Sequence, residues 1–420
     1  MTERLYYDDP YLTRFSASVT EKLKWRGNPA VVLDRTAFYP TGGGQPNDTG
    51  LLGEAAVIDV VERESDAAIV HVLSRALEKS DVEGTVDWKR RFDLMQQHTG
   101  QHILSAAFVE AVEANTVGFH LSQEYATLDL DRAPLSSEDL IRVEDLANAI
   151  VVENRRAFAR FVPDEEVPLL PLRKPLAHEG PVRIVDIEGS DRGSPFDCSA
   201  CGGTHVRKTG EVGSIKITRS ERRGAETRVE FLCGGRALAD YQAKNAIVME
   251  LAHEFTVGHR ELPDAVQRMS GELKETRRAL RRSRDSLLEA EATALWYQAD
   301  TLTVVKSGSG STAETVHVVR GVYDGRSMDE LKHLAQRLIV HPSTVALLAT
   351  RGQGDQKSYL TFARSDDLDV NMGNLVRQAS EIIGGRGGGR PNFAQGGGPE
   401  AERVSEALVG ARETLSDQLS

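Results

Sequence analysis

A chain of 420 residues has room for about two to four domains with proper cores. Its 40% hydrophobic and 27% charged content is that of an ordinary globular protein and excludes the fibrous and disordered classes. A net charge of −12 excludes a uniformly basic coat for general nucleic-acid binding, leaving only focused cationic surfaces for such a partner.

The segment from Met1 to Pro10 carries acids and no apolar run, so no signal peptide is expected, and no stretch has the apolar length of a membrane span. Three cysteines, an odd number, argue against a disulfide framework and for a reducing, cytoplasmic setting. From Leu5 to about Val86, short apolar runs such as Ala30–Leu33, Ala55–Val61 and Ala68–Leu73 predict the strands of a small β-barrel or sandwich. The stretch from Thr36 to Gly50 interrupts them with Gly42-Gly43-Gly44-Gln45-Pro46. That is a loop whose backbone can approach a ligand closely, or a plain connection. From Arg90 the period becomes helical, with Phe92, Met95, Ile103, Leu104, Ala107 and Phe108 on one face. Leu121–Leu130 alternates like a strand, Glu138–Phe158 reads as an amphipathic helix, and Pro163–Pro181 as a proline-rich connection. Val182–Ile187, Gly213–Thr218 and Thr227–Leu232 read as strands that complete an α+β domain.

Arg236 to about Ala299 reads as one long helical tract. Val266, Leu273, Leu280, Leu287 and Ala294 recur every seven residues, but the companion seam is only half apolar. A marginal coiled coil follows, pairing two copies or folding back within one chain. Lys274, Arg277, Arg278, Arg281, Arg282 and Arg284 in the same tract form a solvated face or a phosphate-contacting arm. Beyond it come strands at Leu302–Lys306, Thr315–Gly321, Thr344–Thr350 and Lys357–Ala363, with a helix over Met328–Leu338. The glycine-rich run Gly384–Gly398 reads as a flexible linker or as an anion nest presenting Arg386 and Arg390.

Two spacings carry chemistry: His98-Thr-Gly-Gln-His102 and Cys201-Gly-Gly-Thr-His205. On a helix His98 and His102 share a stripe one turn apart, so three imidazoles and one thiolate make a zinc set, one ion per chain. Position 99 is Thr and not Glu, so the metallopeptidase arrangement, whose Glu is the general base, is excluded. Cys198 makes C-x-x-C with Cys201 and is a competing ligand.

In order along the chain, Tyr39-Pro40 through Gly42–Gln45, Gln97–His102, Cys201–His205 and Gly387–Pro391 through Gln395 resemble the editing half of alanyl-tRNA synthetase. They also resemble its free-standing relatives, the AlaX-type trans-editing proteins, in their long form. The resemblance implies an α+β protein in four parts: an N-terminal β-barrel (1–89), a two-layer zinc-containing editing core (90–235), a helical linker (236–299) and a DHHA1-like tRNA-binding domain (300–420). It also implies His98, His102, Cys201 and His205 as zinc ligands. The expected activity is that of an aminoacyl-tRNA hydrolase, a zinc-dependent carboxylic ester hydrolase. Its substrates are mischarged tRNA(Ala), chiefly Ser-tRNA(Ala) and also Gly-tRNA(Ala). No aminoacylation is expected, since no ATP-binding class II core precedes the matching region. A pocket for alanine cannot strongly exclude glycine and rejects serine's extra hydroxyl only weakly, so a second hydrolytic sieve is needed.

His98, His102 and Gln101 are then the catalytic candidates, and Thr36, Gly43, Gly44, Gln45 and His120 the candidates for substrate contact. Arg386 and Arg390 are assigned to tRNA phosphate together with the arginines of the helical tract. The competing reading is a non-catalytic tRNA-binding protein with a structural zinc, because four protein ligands close a tetrahedral site. A DHH-type phosphoesterase lacks its Asp-His-His run here. The preference for serine over glycine, and a homodimer through the linker or C-terminal domain, stay open at this level.

Overall fold

The computed structural model describes residues 2–176, 180–190, 194–305, 313–351 and 357–419. It divides into two compact units, Met1–His259 and Arg260–Ser420.

The first unit opens with a closed six-stranded barrel. Its strands are β1 (Arg14–Trp25), β2 (Asn28–Leu33), β3 (Gly50–Leu52), β4 (Ala55–Glu62), β5 (Ile69–Leu73) and β6 (Asp81–Val86), closed in the order β1-β2-β5-β4-β3-β6. The alternation read in the sequence is the cause: along β6 every second residue is buried, so one face fills the interior. Phe15, Val31, Leu33, Leu52, Val57, Ile69 and Val82 meet there with Phe38 from the loop after β2.

Helix α1 (Trp88–Val112) follows, started by the Asp87 side chain accepting from the Arg90 amide. It runs through the middle of the unit with Leu94, Met95, Ile103, Leu104, Ala107 and Phe108 fully buried. Around it lies a four-stranded sheet of order β12-β13-β8-β7, from β7 (Thr116–Leu121), β8 (Ala126–Leu130), β12 (Ile215–Arg223) and β13 (Glu226–Cys233). Helix α2 (Ser137–Val152), started by a Ser136–Asp139 capping box, packs on the same core. A second sheet joins β9 (Ala157–Val162), β10 (Val182–Ile187) and β11 (Asp197–Ala200) in that order. Helix α3 (Gly234–Glu254) ends the unit.

The second unit holds the long helix α4 (Leu262–Tyr297) and a six-stranded sheet of order β14-β15-β16-β17-β19-β18. Its strands are β14 (Asp300–Val305), β15 (Ala313–Asp324), β16 (Thr344–Arg351), β17 (Ser358–Arg364), β18 (Arg386–Gly389) and β19 (Phe393–Gly398), with helices α5 (Met328–Leu338), α6 (Met372–Ile382) and α7 (Val404–Leu419).

Four sequence expectations change. Of the strand expected over Leu121–Leu130 only Ala126–Leu130 is one (β8), because the Ser122 hydroxyl binds the Tyr125 backbone and reverses the chain between β7 and β8. The helix expected to reach Phe158 stops at Val152, where Asn154 takes a left-handed conformation (φ +52°) and Ala157 enters β9. The single helical tract is two helices, broken at Thr256 (φ +55°) and restarted with Pro263 in the first turn of α4. Its heptad residues Val266, Leu273, Leu280 and Leu287 are exposed. Finally, Gly384–Gly398 is not a linker: it forms the β18–β19 hairpin, Arg386 opposite Gly397 and Gly388 opposite Gln395, with β18 at the sheet edge. A β-carbon at Gly387 or Gly396 would fall 2.5 or 2.0 Å from Ser380 Oγ of α6, so these glycines serve close packing.

Candidate metal centre and adjoining cleft

Helix α1 presents His98 and His102 one turn apart, and the loop after β11 brings Cys201 and His205 to meet them. The ligand atoms of all four lie within 4.8 Å of one another. Cys201 Sγ is 3.3 Å from Nε2 of both His98 and His205. Bond lengths of about 2.0 Å to nitrogen and 2.3 Å to sulfur give a tetrahedron with edges of roughly 3.3–3.6 Å, so the donor set fits a single divalent ion.

What makes the set specific is the second nitrogen of each ring. His98 Nδ1 is 2.8 Å from Gln45 Oε1, His102 Nδ1 is 2.7 Å from Asp197 Oδ2, and His205 Nδ1 is 3.1 Å from Thr99 Oγ1. An amide or carboxylate oxygen only accepts, so Gln45 and Asp197 require the proton on Nδ1 and free Nε2 to ligate. Gln45 is itself fixed, its Nε2 donating to Thr204 Oγ1 at 2.9 Å and its Oε1 also accepting from the Thr204 amide at 3.1 Å. Asp197 is held by Arg173 Nε at 2.7 Å. The Arg183 guanidinium donates to the carbonyls of Cys201 and Gly203 and shapes the loop. Gly203 has to be glycine: a β-carbon would stand 2.2 Å from His98 Cε1.

The electrostatics follow from burial. Burial works against the Cys201 thiolate, yet the neighbouring His98 and His205 and the hydrogen bond from His102 hold the thiol well below its ordinary value. Burial lowers His102 as well, but Asp197 overcomes it and raises this imidazole to about 9. His205, buried and beside His98, is pushed down to about 3. Thiolate and neutral imidazole are the forms a metal takes.

Cys198 is not part of the cluster. It lies on the opposite face of β11, opposite Asp186, in a small core with Val162, Val182 and Ile184. Burial raises its thiol to about 12.

A cleft of about 350 Å³ adjoins the cluster, lined by Gln101, Thr116, Phe119, Arg173, Ser199 and Ala200 among others. The Phe119 ring stacks on His98 at 5.5 Å, and Gln101 sits between the two helix donors. Its Nε2 donates to Ser105 Oγ at 2.9 Å, which also accepts from Thr116 Oγ1 at 2.8 Å. Neither this cleft nor a wider one of about 580 Å³, lined by Phe158, Arg160, Asp186 and Cys198, contains any of the four donors, whereas one of about 390 Å³ lined by Tyr7, Arg183 and Arg207 includes His205.

The five substrate-contact candidates lie at different distances from the cluster. Gln45 is 1% exposed with its amide oxygen and nitrogen both engaged, and it orients His98. Thr36 is fully buried. The Val31 carbonyl takes the His71 Nδ1 proton, so the Thr36 hydroxyl donates to His71 Nε2 while accepting from the Phe38 amide. His120 is exposed on β7, and the strand's alternation turns Phe119 toward His98 instead. Gly44 (φ +80°) stays near the site, where a β-carbon would meet the Phe119 ring at 3.0 Å; Gly43 (φ +57°) forms the turn beside it. Arg386 and Arg390 are exposed in the second unit.

Sequence reasoning missed Asp197, Thr99, Phe119 and Arg173. Two signals were available: Asp197 has the strand parity of Ser199 and Cys201, and Thr99 lies inside the histidine pair.

Residues 6–90 match tRNA synthetases class II (A), 182–229 the threonyl and alanyl tRNA synthetase second additional domain, and 314–417 the DHHA1 domain. Alanine–tRNA ligase of Pyrococcus furiosus is 32% identical over 99% of this chain and 44% of its own length. That of Halobacterium salinarum is 33% identical over 100% of this chain, again 44% of its own length. The chain is AlaX-like, with a DHHA1 C-terminus. This AlaX-like chain therefore spans less than half the length of the ligases it matches. The C-Ala domain of Aquifex aeolicus alanyl-tRNA synthetase is 28% identical, covering 28% of this chain and 98% of its own, at a TM-score of 0.23. No helix among the described residues is long and apolar enough to cross a membrane.

Proposed function

We propose that the chain hydrolyses the aminoacyl ester of mischarged tRNA(Ala), with Ser-tRNA(Ala) the chief substrate and Gly-tRNA(Ala) a second. The observation that carries this reading is a pre-oriented three-nitrogen, one-sulfur cluster beside a cleft that joins apolar walls to polar groups. His98, His102, Cys201 and His205 would hold one zinc ion, which supplies Lewis acidity when bound. The chain's own residues do the selecting. Phe119, Val117 and Leu176 give the cleft apolar surface, and Arg173 and Lys174 offer cations to a terminal phosphate or a developing oxyanion. The Gln101–Ser105–Thr116 hydroxyl and amide chain offers partners to a serine hydroxyl. An alanyl ester would leave that polar set without its partner, which costs discrimination energy and spares the correct product.

Four protein donors support a second reading, a purely structural ion in a tRNA-binding protein. Incubation of the pure chain with Ser-, Gly- and Ala-tRNA(Ala) and with Ser-tRNA(Thr) separates the two. Release of serine, with alanine spared, is the expected result. Binding without deacylation establishes the structural ion, and equal attack on Ser-tRNA(Thr) moves the assignment to threonine editing. Cytoplasmic location, tRNA(Ala) as partner, activity without ATP and the four-part division at 89, 235 and 299 belong to the same proposal.

A further inference from the structure

Helix α4 carries six basic residues and a single acid, Glu275, between Lys274 and Arg284, in a chain whose net charge is −12. The local surplus therefore runs against composition. At 100° per residue, Arg284, Arg277, Arg281, Lys274, Arg278 and Arg282 fall in that angular order within about 160° of the helix circumference. They occupy about 15 Å of axis. All six are exposed, and none forms an ion pair among the described residues; the acids of this helix that do are Asp285, with Arg337, and Glu291, with Arg326. Asp285 ends the strip at its C-terminal side.

We infer that this face of α4 is an RNA-backbone contact surface. Six like charges held side by side with one acid among them cost the isolated chain repulsion, and a polyanion removes that cost. The partner class rests on the tRNA reading above; the surface itself rests on the phases and on six exposed cations without ion pairs among the described residues. A second copy crossing the same stretch would bring arginine against arginine, which disfavours self-pairing here. An anionic bilayer would need the cations to flank a broad apolar face. Here Leu273, Leu280 and Leu287 form only a narrow stripe at one margin of the basic face.

The test uses the full chain and uncharged tRNA(Ala) transcript, with binding followed by fluorescence anisotropy from about 0.05 to 0.3 M salt. Alanine at Arg277, Arg278, Arg281 and Arg282 preserves helix propensity at exposed positions. Each lost phosphate contact lowers the slope of log K against log salt by about 1. The quadruple variant should thus lose roughly 3–4 from the slope and bind at least tenfold more weakly near 0.15 M salt. The four-fold Arg→Lys variant should keep the slope, which separates charge from folding. An unchanged slope in the alanine variant overturns the inference. So does a loss confined to anionic vesicles (phosphatidylserine in phosphatidylcholine), or one confined to self-association in sedimentation. Deacylation of Ser-tRNA(Ala) by the wild-type chain is measured in parallel. Its failure sinks the editing reading while leaving the slope experiment to judge this surface alone.

Discussion

Each imidazole of the cluster lends a metal one nitrogen, and a hydrogen-bond partner chooses which. Gln45 makes the choice for His98 and Asp197 for His102. Second partners of this kind are worth about 10- to 100-fold in metal affinity. Asp197→Asn should lose an affinity in that range while the fold survives, as read by competition with a chromophoric chelator; an unchanged affinity would remove Asp197 from the centre. The sign of the pH dependence also follows. In the ion-free chain burial opposes and Asp197 raises His102, to about 9. The ion must displace that proton, so affinity should climb about tenfold per pH unit below about 9 and flatten above it. Calorimetry in buffers of different ionisation enthalpy should count about one proton released near pH 7.5. The four donors were legible because a helix turn and a short loop fix their spacing locally. Their partners were not, since 53 residues separate Gln45 from His98 and 95 separate His102 from Asp197. A glycine loop ending in glutamine reads as a ligand cradle until the far side of that contact is known.

Among the elements, α1 decides whether the site can form, since it gives two donors and the core its central rod. Gly100 sits where α1 meets β13: a β-carbon there would lie 2.2 Å from Cys233 Sγ. Gln97 clamps the same strand, donating to the Cys233 carbonyl at 3.0 Å and accepting from its amide at 2.8 Å. Gly100→Ala should therefore destabilise by about 1–3 kcal/mol through overpacking, although alanine favours helices. Adding Cys233→Ala makes room, so the double variant should recover part of the loss in urea unfolding; additive losses would contradict the contact. Strand and helix positions were readable wherever apolar periodicity ran unbroken, as in β6 and α5. Boundaries failed where a single residue turned the chain, at Ser122, Asn154 and Thr256. The glycine-rich hairpin β18–β19 was unreadable because its side-chain pattern is blank: the hydroxyl of Ser380 explains Gly387 and Gly396, and it lies on another element.

For the molecule, two compact units predict two unfolding transitions, with the cluster in Met1–His259 alone. An ion present at about a hundred times its dissociation constant adds about 2.7 kcal/mol to the unit that binds it. Chelation should then lower one calorimetric transition by roughly 5–10 °C and leave the other in place. Equal movement of both would mean the ion does not act where the donors converge.

The hydrogen bond from His98 to Gln45 has a consequence for how such proteins can be recombined. His98 and His102 fall outside both synthetase-matched segments of the first unit, 6–90 and 182–229, while Gln45 lies within the first and Cys201 with His205 within the second. The ion's surroundings are thus assembled from three stretches of chain, and no cut between barrel and core leaves them whole. A chimera carrying this core on a foreign barrel would inherit every donor and forfeit the instruction that tells His98 which nitrogen to offer.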